Sequence, residues 1–150
     1  MYDSTKDTMT HKENIKKVMS VIIKELENRM EHHDDSKLES PEKEAYDKYI
    51  PLLKDAEYSS LEYYEIKRKM AKECLDHHYK VNRHHPEHYE NSDISNMTIV
   101  ELVEMFCDHL AASMVSDSTY EKGEKLNKSR YHYSNQMFEI FMNTYNEFFK

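Results

Sequence analysis

The chain has 150 residues and a mass of 18.1 kDa, enough for one domain with a single sizeable core. One Gly and three Pro leave little material for tight turns or glycine-cradled phosphates, so hairpin-rich folds, Rossmann units and P-loops are excluded. Acidic residues exceed basic ones by 29 to 21, for a net charge of -8, which disfavours a polymeric nucleic acid as partner.

The predicted elements are all helical. Ile15, Val18, Met19, Ile22, Ile23, Leu26 and Met30 recur at helical spacing and predict an amphipathic helix over about residues 10–31 with that stripe buried. His11 lies four residues before Ile15, on or beside the stripe. The polar run from Glu31 to Lys37 ends the helix. Ser40-Pro41-Glu42 restarts one, with Ser40 as cap and Pro41 in the first turn. Pro51 kinks or stops it, and Glu39 to Lys48 reads as a solvated face.

Ser59-Ser60 opens a third helix in which Tyr63, Ile66, Met70, Cys74 and His77 or His78 share a face. A loop without helical period follows, His84-His85-Pro86-Glu87-His88-Tyr89. Thr98 and Glu101 form a capping box for a fourth helix, with Ile99, Leu102, Val103, Phe106, Leu110 and Met114 as its stripe. Gly123 and a polar stretch to about Arg130 separate it from a last helix carrying Met137, Phe138, Phe141, Met142, Tyr145, Phe148 and Phe149. Cys74 and Cys107, far apart and inside helical patterns, read as buried thiols in a reducing compartment. With no apolar run of about 18 residues and no signal-peptide pattern, a soluble cytoplasmic protein without membrane contact is expected.

Histidine is the anomaly. There are ten, five of them between His77 and His88, and His33 abuts Asp34 and Asp35. Imidazole nitrogen and carboxylate oxygen together suit Mn²⁺, Fe²⁺, Co²⁺ and Zn²⁺. Asp108, framed by Met105, Ala111 and Ala112, is expected to be partly buried, which is costly for a carboxylate unless it is paired or metal-bound. A set of that kind is His11, His33, Asp34 and Asp108, drawn from three helices or helix ends.

In this order, His11, then His33-Asp34-Asp35-Ser36-Lys37, then Asp108 followed by Ala111-Ala112, the residues resemble the HD-domain metal-dependent phosphohydrolases. The nearer resemblance is to small, mostly phage and bacterial, HD-like proteins of unknown function. It rests on the His-Asp-x-Ser-Lys stretch with Glu44 and Tyr46 downstream, on His78-Tyr79-x-x-Asn82-x-His84-His85-Pro86-Glu87-His88-Tyr89, on Met97 through Asp108, and on Asn143-Thr144. It covers nearly the full length.

The resemblance implies a single all-α domain over residues 1–150, a bundle of five to seven helices. It implies that His11, His33, Asp34 and Asp108 bind one divalent transition metal, Mn, Fe, Co or Zn. Where members hold two ions the Asp of the pair bridges, and His78, His84 and His85 are the candidates for the second. Lys37 is then suited to neutralise phosphate charge, Glu87 to act as base or to orient a histidine, and Asn82, Arg83 and Tyr89 to contact substrate. The expected activity is hydrolysis of a small phosphoester, a nucleotide or cyclic nucleotide, in the cytoplasm, the host's if the chain is phage-encoded. Two other classes are compatible with these residues: a di-iron oxygenase, and a phage interaction protein with a structural metal in which the aromatic terminal helix is a docking or homodimer face.

Overall fold

The computed structural model describes residues 2–57, 60–115 and 119–150, and among them there is no strand. The expectation of an all-α chain is borne out. Ser59 lies outside the described residues. The chain divides into two units, Met1–His33 and Asp34–Lys150.

The first unit is one helix, α1, Thr5–His32. Asp7 in its first turn and Arg29 and His32 in its last complement the helix dipole. Arg29 Nε donates to Glu25 Oε1 at 2.9 Å, an i,i+4 pair. The helix is longer than the periodicity predicted. Its stripe is not buried: no α1 residue is, Leu26 is half-buried, and the other six stripe residues run from 37% exposed at Ile22 to 77% at Met30. Length, local pairs and intrinsic propensity favour this helix. No helix among the described residues is long and apolar enough to cross a membrane.

The second unit begins at Asp34, whose backbone is left-handed (φ 58°), a conformation an aspartate tolerates better than most residues. A 3-10 turn, Asp35–Leu38, and a cis Ser40–Pro41 bond lead into α2, Glu42–Asp55. Ser40 is not the cap; Pro41 occupies that position and no side chain caps the helix. Pro51 does not stop α2, which runs one turn further. The predicted solvated face is corrected as well: Glu42, Ala45 and Tyr49, spaced three and four apart, are buried.

Ser60 Oγ accepts the Tyr63 N–H at 3.1 Å and starts α3, Leu61–Met70. One π turn, Ala71–Leu75, joins it without a break to α4, Asp76–Val81. The join has a geometric use. Four residues on an α-helix overshoot a full turn by about 40°, so the series Ile66, Met70, Cys74, His78 would wind off its face. The wider π turn takes up part of that drift, and all four side chains are buried.

Three short 3-10 turns, Pro86–His88, Glu90–Ser92 and Ile94–Asn96, carry the chain to α5, Ile99–Met114. The capping box is present: Glu101 N–H donates to Thr98 Oγ1 at 3.3 Å and Thr98 N–H to Glu101 Oε2 at 2.7 Å. The polar stretch around Gly123, read as a separator, is a helix instead, α6, Tyr120–Tyr131. A mid-helix glycine costs about 1 kcal/mol, and the burial of Tyr120, Glu124 and Tyr131 along one face outweighs it. After His132, again left-handed (φ 56°), Ser134 caps α7, Asn135–Phe148.

The second unit has two apolar clusters. Ala45, Tyr49, Ile66, Met70 and Cys74 join α2 to α3 and the π turn. Met105, Phe106, Leu110, Tyr120, Tyr131, Phe141 and Met142, with Met97 and Tyr133, join α5, α6 and α7. Cys74 is buried as expected, whereas Cys107 is exposed, and both thiols are free.

Because the Thr98 hydroxyl and the Glu101 carboxylate satisfy the first turn of α5 reciprocally, Thr98→Ala is expected to cost about 1 kcal/mol. In a chain of this size that lowers the thermal midpoint by about 2–4 °C, measurable by calorimetry with far-UV circular dichroism confirming the native helix content.

Candidate metal centre

The histidine-rich segment straddles the end of α4. His78 is on the last turns of that helix, and His84 and His85 follow after the bend at Asn82. Asp34 stands at the start of the same unit. Ligand atoms of Asp34, His78, His84 and His85 all lie within 4.8 Å of one another. Asp34 Oδ1 is 3.5 Å from Nε2 of His78 and 3.5 Å from Nε2 of His84, while His78 Nε2 and His85 Nε2 are 2.8 Å apart.

These spacings fit a bound ion. Bonds of about 2.1 Å separate neighbouring donors by about 3.4 Å in a tetrahedron and about 3.0 Å at adjacent octahedral corners. Three imidazoles and one carboxylate suit a borderline divalent cation.

Two of the three rings are turned by a carboxylate behind them. His78 Nδ1–H donates to Glu42 Oε2 at 2.8 Å, and both side chains are buried, at 2% and 0% exposure. That bond directs the Nε2 lone pair of His78 at Asp34. His84 Nδ1 faces Glu104 Oε1 at 3.1 Å, which does the same for its Nε2. A carboxylate behind a ligating imidazole fixes the tautomer and raises the basicity of the outward nitrogen. The consequence is that acceptor atoms of His78, His84 and Asp34 face one another, an arrangement that a shared cation stabilises.

Burial lowers the pKa of His78 against the upward pull of Asp34 and Glu42. Burial, with the neighbouring His84 and His78 rings, holds His85 down at about 3 although Asp108 and Asp34 pull it upward. Both rings are therefore neutral at pH 7, the form that binds metal.

The remaining candidates divide. Asp108, half-buried on α5 one turn after Glu104, acts electrostatically on His85 and so belongs to this neighbourhood. Lys37 Nζ bonds Asp34 Oδ2 and lies 5.4 Å from the Tyr46 ring centroid. Asn82 Nδ2 donates to Ser36 Oγ at 2.8 Å and to the His78 carbonyl at 3.0 Å, so it braces the bend. His11 and His33 belong to the N-terminal unit, where His11 is exposed on α1 and His33 is its C-cap, adjoining Asp34 in the chain.

Three expected functional residues have structural partners. Glu87 Oε1 accepts from Arg130 Nη2 at 2.6 Å and from the Tyr131 hydroxyl at 2.9 Å, which ties the loop to α6. Arg83 Nε bonds Glu101 Oε1, and its guanidinium lies 5.7 Å from the Tyr89 ring centroid. Tyr89 also favours the ionised form of the Glu101 carboxylate. The other histidines serve locally: His77 Nδ1 bonds Glu42 Oε1 at 2.7 Å, His88 Nδ1–H donates to the Tyr79 carbonyl at 3.1 Å, and His109 pairs with buried Glu124 at 3.0 Å.

Glu42 and Glu104 were not among the predicted site residues. A signal for Glu104 existed: it is four residues before Asp108, so both lie on one face of α5. Glu42 gave none, since it sits in a run of charge that looks solvated.

Desolvation pushes the Glu101 carboxyl up, but the Arg83 guanidinium, the Thr98 N–H and the Tyr89 hydroxyl outweigh it and hold the pKa at about 2, against an ordinary 4.5. The unfolded chain therefore takes up this proton at higher pH than the folded one. The stabilisation is complete above about pH 4.5 and is lost as pH falls toward 2. Glu101→Gln keeps the N-cap acceptor and removes the titration, so its urea midpoint is expected to fall less than the parent's between pH 5 and pH 2.5.

No curated protein and no solved structure matches the chain at a significant level. A family match spans residues 1–147. The chain thus belongs to DUF5662, a family of unknown function.

Proposed function

We propose that this chain is a metal-dependent phosphohydrolase acting on a small phosphoester, a nucleotide or cyclic nucleotide, at the Asp34–His78–His84–His85 centre. The observation that carries the reading is the convergence of three Nε2 atoms and one carboxylate oxygen at metal-ligand spacing, two of the imidazoles backed by the carboxylates of buried Glu42 and half-buried Glu104. The resemblance of His33-Asp34 and Asp108 to the HD-domain pattern supplies the phosphoester class.

In this reading His78 and His84 are held by Glu42 and Glu104 as neutral donors, and His85 and Asp34 complete the set. Bound there, a divalent cation supplies a water of lowered pKa and a Lewis acid for a phosphoryl oxygen. Asp108, beside His85, accepts the proton of the attacking water. Lys37, on the outer oxygen of Asp34, balances negative charge on the phosphoryl group. Glu87, held by Arg130 and Tyr131, positions the loop instead of serving as base.

The number of protein ligands favours a second reading. Four ligands close a tetrahedral Zn²⁺ and make a structural centre, whereas octahedral Mn²⁺, Fe²⁺ or Co²⁺ keeps two positions open.

Elemental analysis of the purified protein is expected to give about one equivalent of transition metal per chain, with His84→Ala losing it and Glu42→Gln binding about 10–100-fold more weakly. A phosphate-release screen over nucleotides and cyclic nucleotides with Mn²⁺, Co²⁺, Fe²⁺ or Mg²⁺ is expected to find turnover that Asp108→Asn lowers by about 100-fold or more while retaining the metal. Bound metal with no phosphoester cleaved would leave the structural centre standing and the hydrolase rejected. A protein that binds no metal would reject both.

A further inference from the structure

A hydroxyl and an amide beside the candidate metal centre bind each other and supply no ligand. Ser36 lies two residues after Asp34, on the 3-10 turn Asp35–Leu38. Asn82 is the C-cap of α4, four residues after His78 and two before His84. Asn82 Nδ2 donates to Ser36 Oγ at 2.8 Å, a partly buried bond between residues 46 apart in the chain. It joins the segment that carries Asp34 to the segment that carries the three histidines, within two residues of a ligand on each side.

The hydroxyl is used twice. A serine has one O–H to donate and lone pairs to accept with. Ser36 accepts from Asn82 and donates to Glu42 Oε2 at 3.0 Å. That oxygen also takes the His78 Nδ1–H at 2.8 Å, while Oε1 of the same carboxylate accepts from His77. Three donors thus satisfy a carboxylate that is wholly out of water, and Ser36 is the one that is not a histidine.

The amide is fully used as well. Of its two hydrogens, one goes to Ser36 Oγ and the other to the His78 carbonyl at 3.0 Å. The same nitrogen lies 2.9 Å from His78 Nδ1, which carries its own hydrogen toward Glu42. Two N–H groups aimed at each other over that distance repel, and the Ser36 oxygen keeps the amide hydrogen turned away from the ring. Without the hydroxyl, Glu42 loses a donor and an amide hydrogen is released against the ring that Glu42 orients.

We propose, on the reading of Asp34, His78, His84 and His85 as ligands of one metal ion, that the hydrogen-bond chain from Asn82 through Ser36 to Glu42 fixes the setting of the His78 ring. Ser36 and Asn82 are then positioning residues of the centre, acting through Glu42 and His78 without touching the metal.

Cobalt(II) is the probe, because its visible absorption reports the geometry of its ligands. Titrated into the full-length chain, it is expected to bind Ser36→Ala about 10-fold more weakly than the parent and with a changed visible band. Asn82→Ala leaves the turn at residue 36 intact and is expected to lose about as much, the double variant losing no more than about 10-fold in all because both act through one chain. Ser36→Thr restores the hydroxyl and is expected to stay within about threefold of the parent. Ser134→Ala removes the hydroxyl that caps α7, a helix with no residue in the centre, and is expected to lower stability with cobalt affinity and band unchanged. In the metal-free chain, a proton–nitrogen correlation spectrum of the histidine rings is expected to show His78 in one Nδ1–H form in the parent and exchange-broadened in Ser36→Ala, with circular dichroism the same for both.

If Ser36→Ala and Asn82→Ala keep the parent's cobalt affinity, band and His78 signal, the positioning role is overturned and the metal centre stands. Equal losses in Ser36→Ala and Ser36→Thr also overturn it, since packing around residue 36 would then be the cause. A parent that binds no cobalt rejects the metal centre and the positioning role with it.

Discussion

The bond between Glu42 and His78 is the interaction on which the rest of the candidate centre depends. Both groups are out of water, and each on its own would be costly to bury. Together they satisfy one another at 2.8 Å, and the bond leaves one imidazole nitrogen with its lone pair directed inward. Glu42 also accepts from His77, so one carboxylate at the start of α2 holds two consecutive histidines of α4. Without it the His78 ring could rotate or change tautomer, and the spacing to Asp34 and His85 would no longer be that of a ligand set.

The fold is arranged to deliver these groups. The α2–α3 cluster carries Glu42 at its edge and, through the π turn, brings His78 onto the same buried face as Ile66, Met70 and Cys74. The α5–α7 cluster holds α5 so that Glu104 backs His84 and Asp108 stands near His85. Between the two, the loop after α4 is tied down by Arg83 on Glu101 and by Glu87 on Arg130 and Tyr131. A short, polar, irregular segment is thereby fixed by ion pairs and phenol hydroxyls in place of apolar burial, and a metal site requires ligands of that rigidity.

Much of the helical framework was legible in the residues. The Thr98–Glu101 box marked the start of α5, Ser60 the start of α3, and the spacing of Ile66, Met70, Cys74 and His78 marked a common face. Where the reading failed, burial had overruled local pattern. Gly123 and its polar neighbours looked like a linker, yet Tyr120, Glu124 and Tyr131 make one inward face of α6. Pro51 looked like a stop, but α2 continues for a turn. The α1 stripe failed in the opposite sense: seven apolar residues at helical period state that a helix has an apolar face, and they do not state what covers it.

Composition and periodicity alone determined that the chain is helical and that histidine is its unusual resource; the grouping of Asp34 with Asp108 came from their resemblance to the HD-domain pattern. Those properties follow from local energetics, the choice of turn residues, and the chemical nature of the donors. Only the tertiary structure decided that Asp34 meets His78, His84 and His85, that Glu42 and Glu104 stand behind them, and that Glu87, Asn82 and Arg83 brace the loop. Which donors converge depends on where α2, α4 and α5 are packed, and packing is set by side-chain shape across segments far apart in the chain, which no window of residues contains.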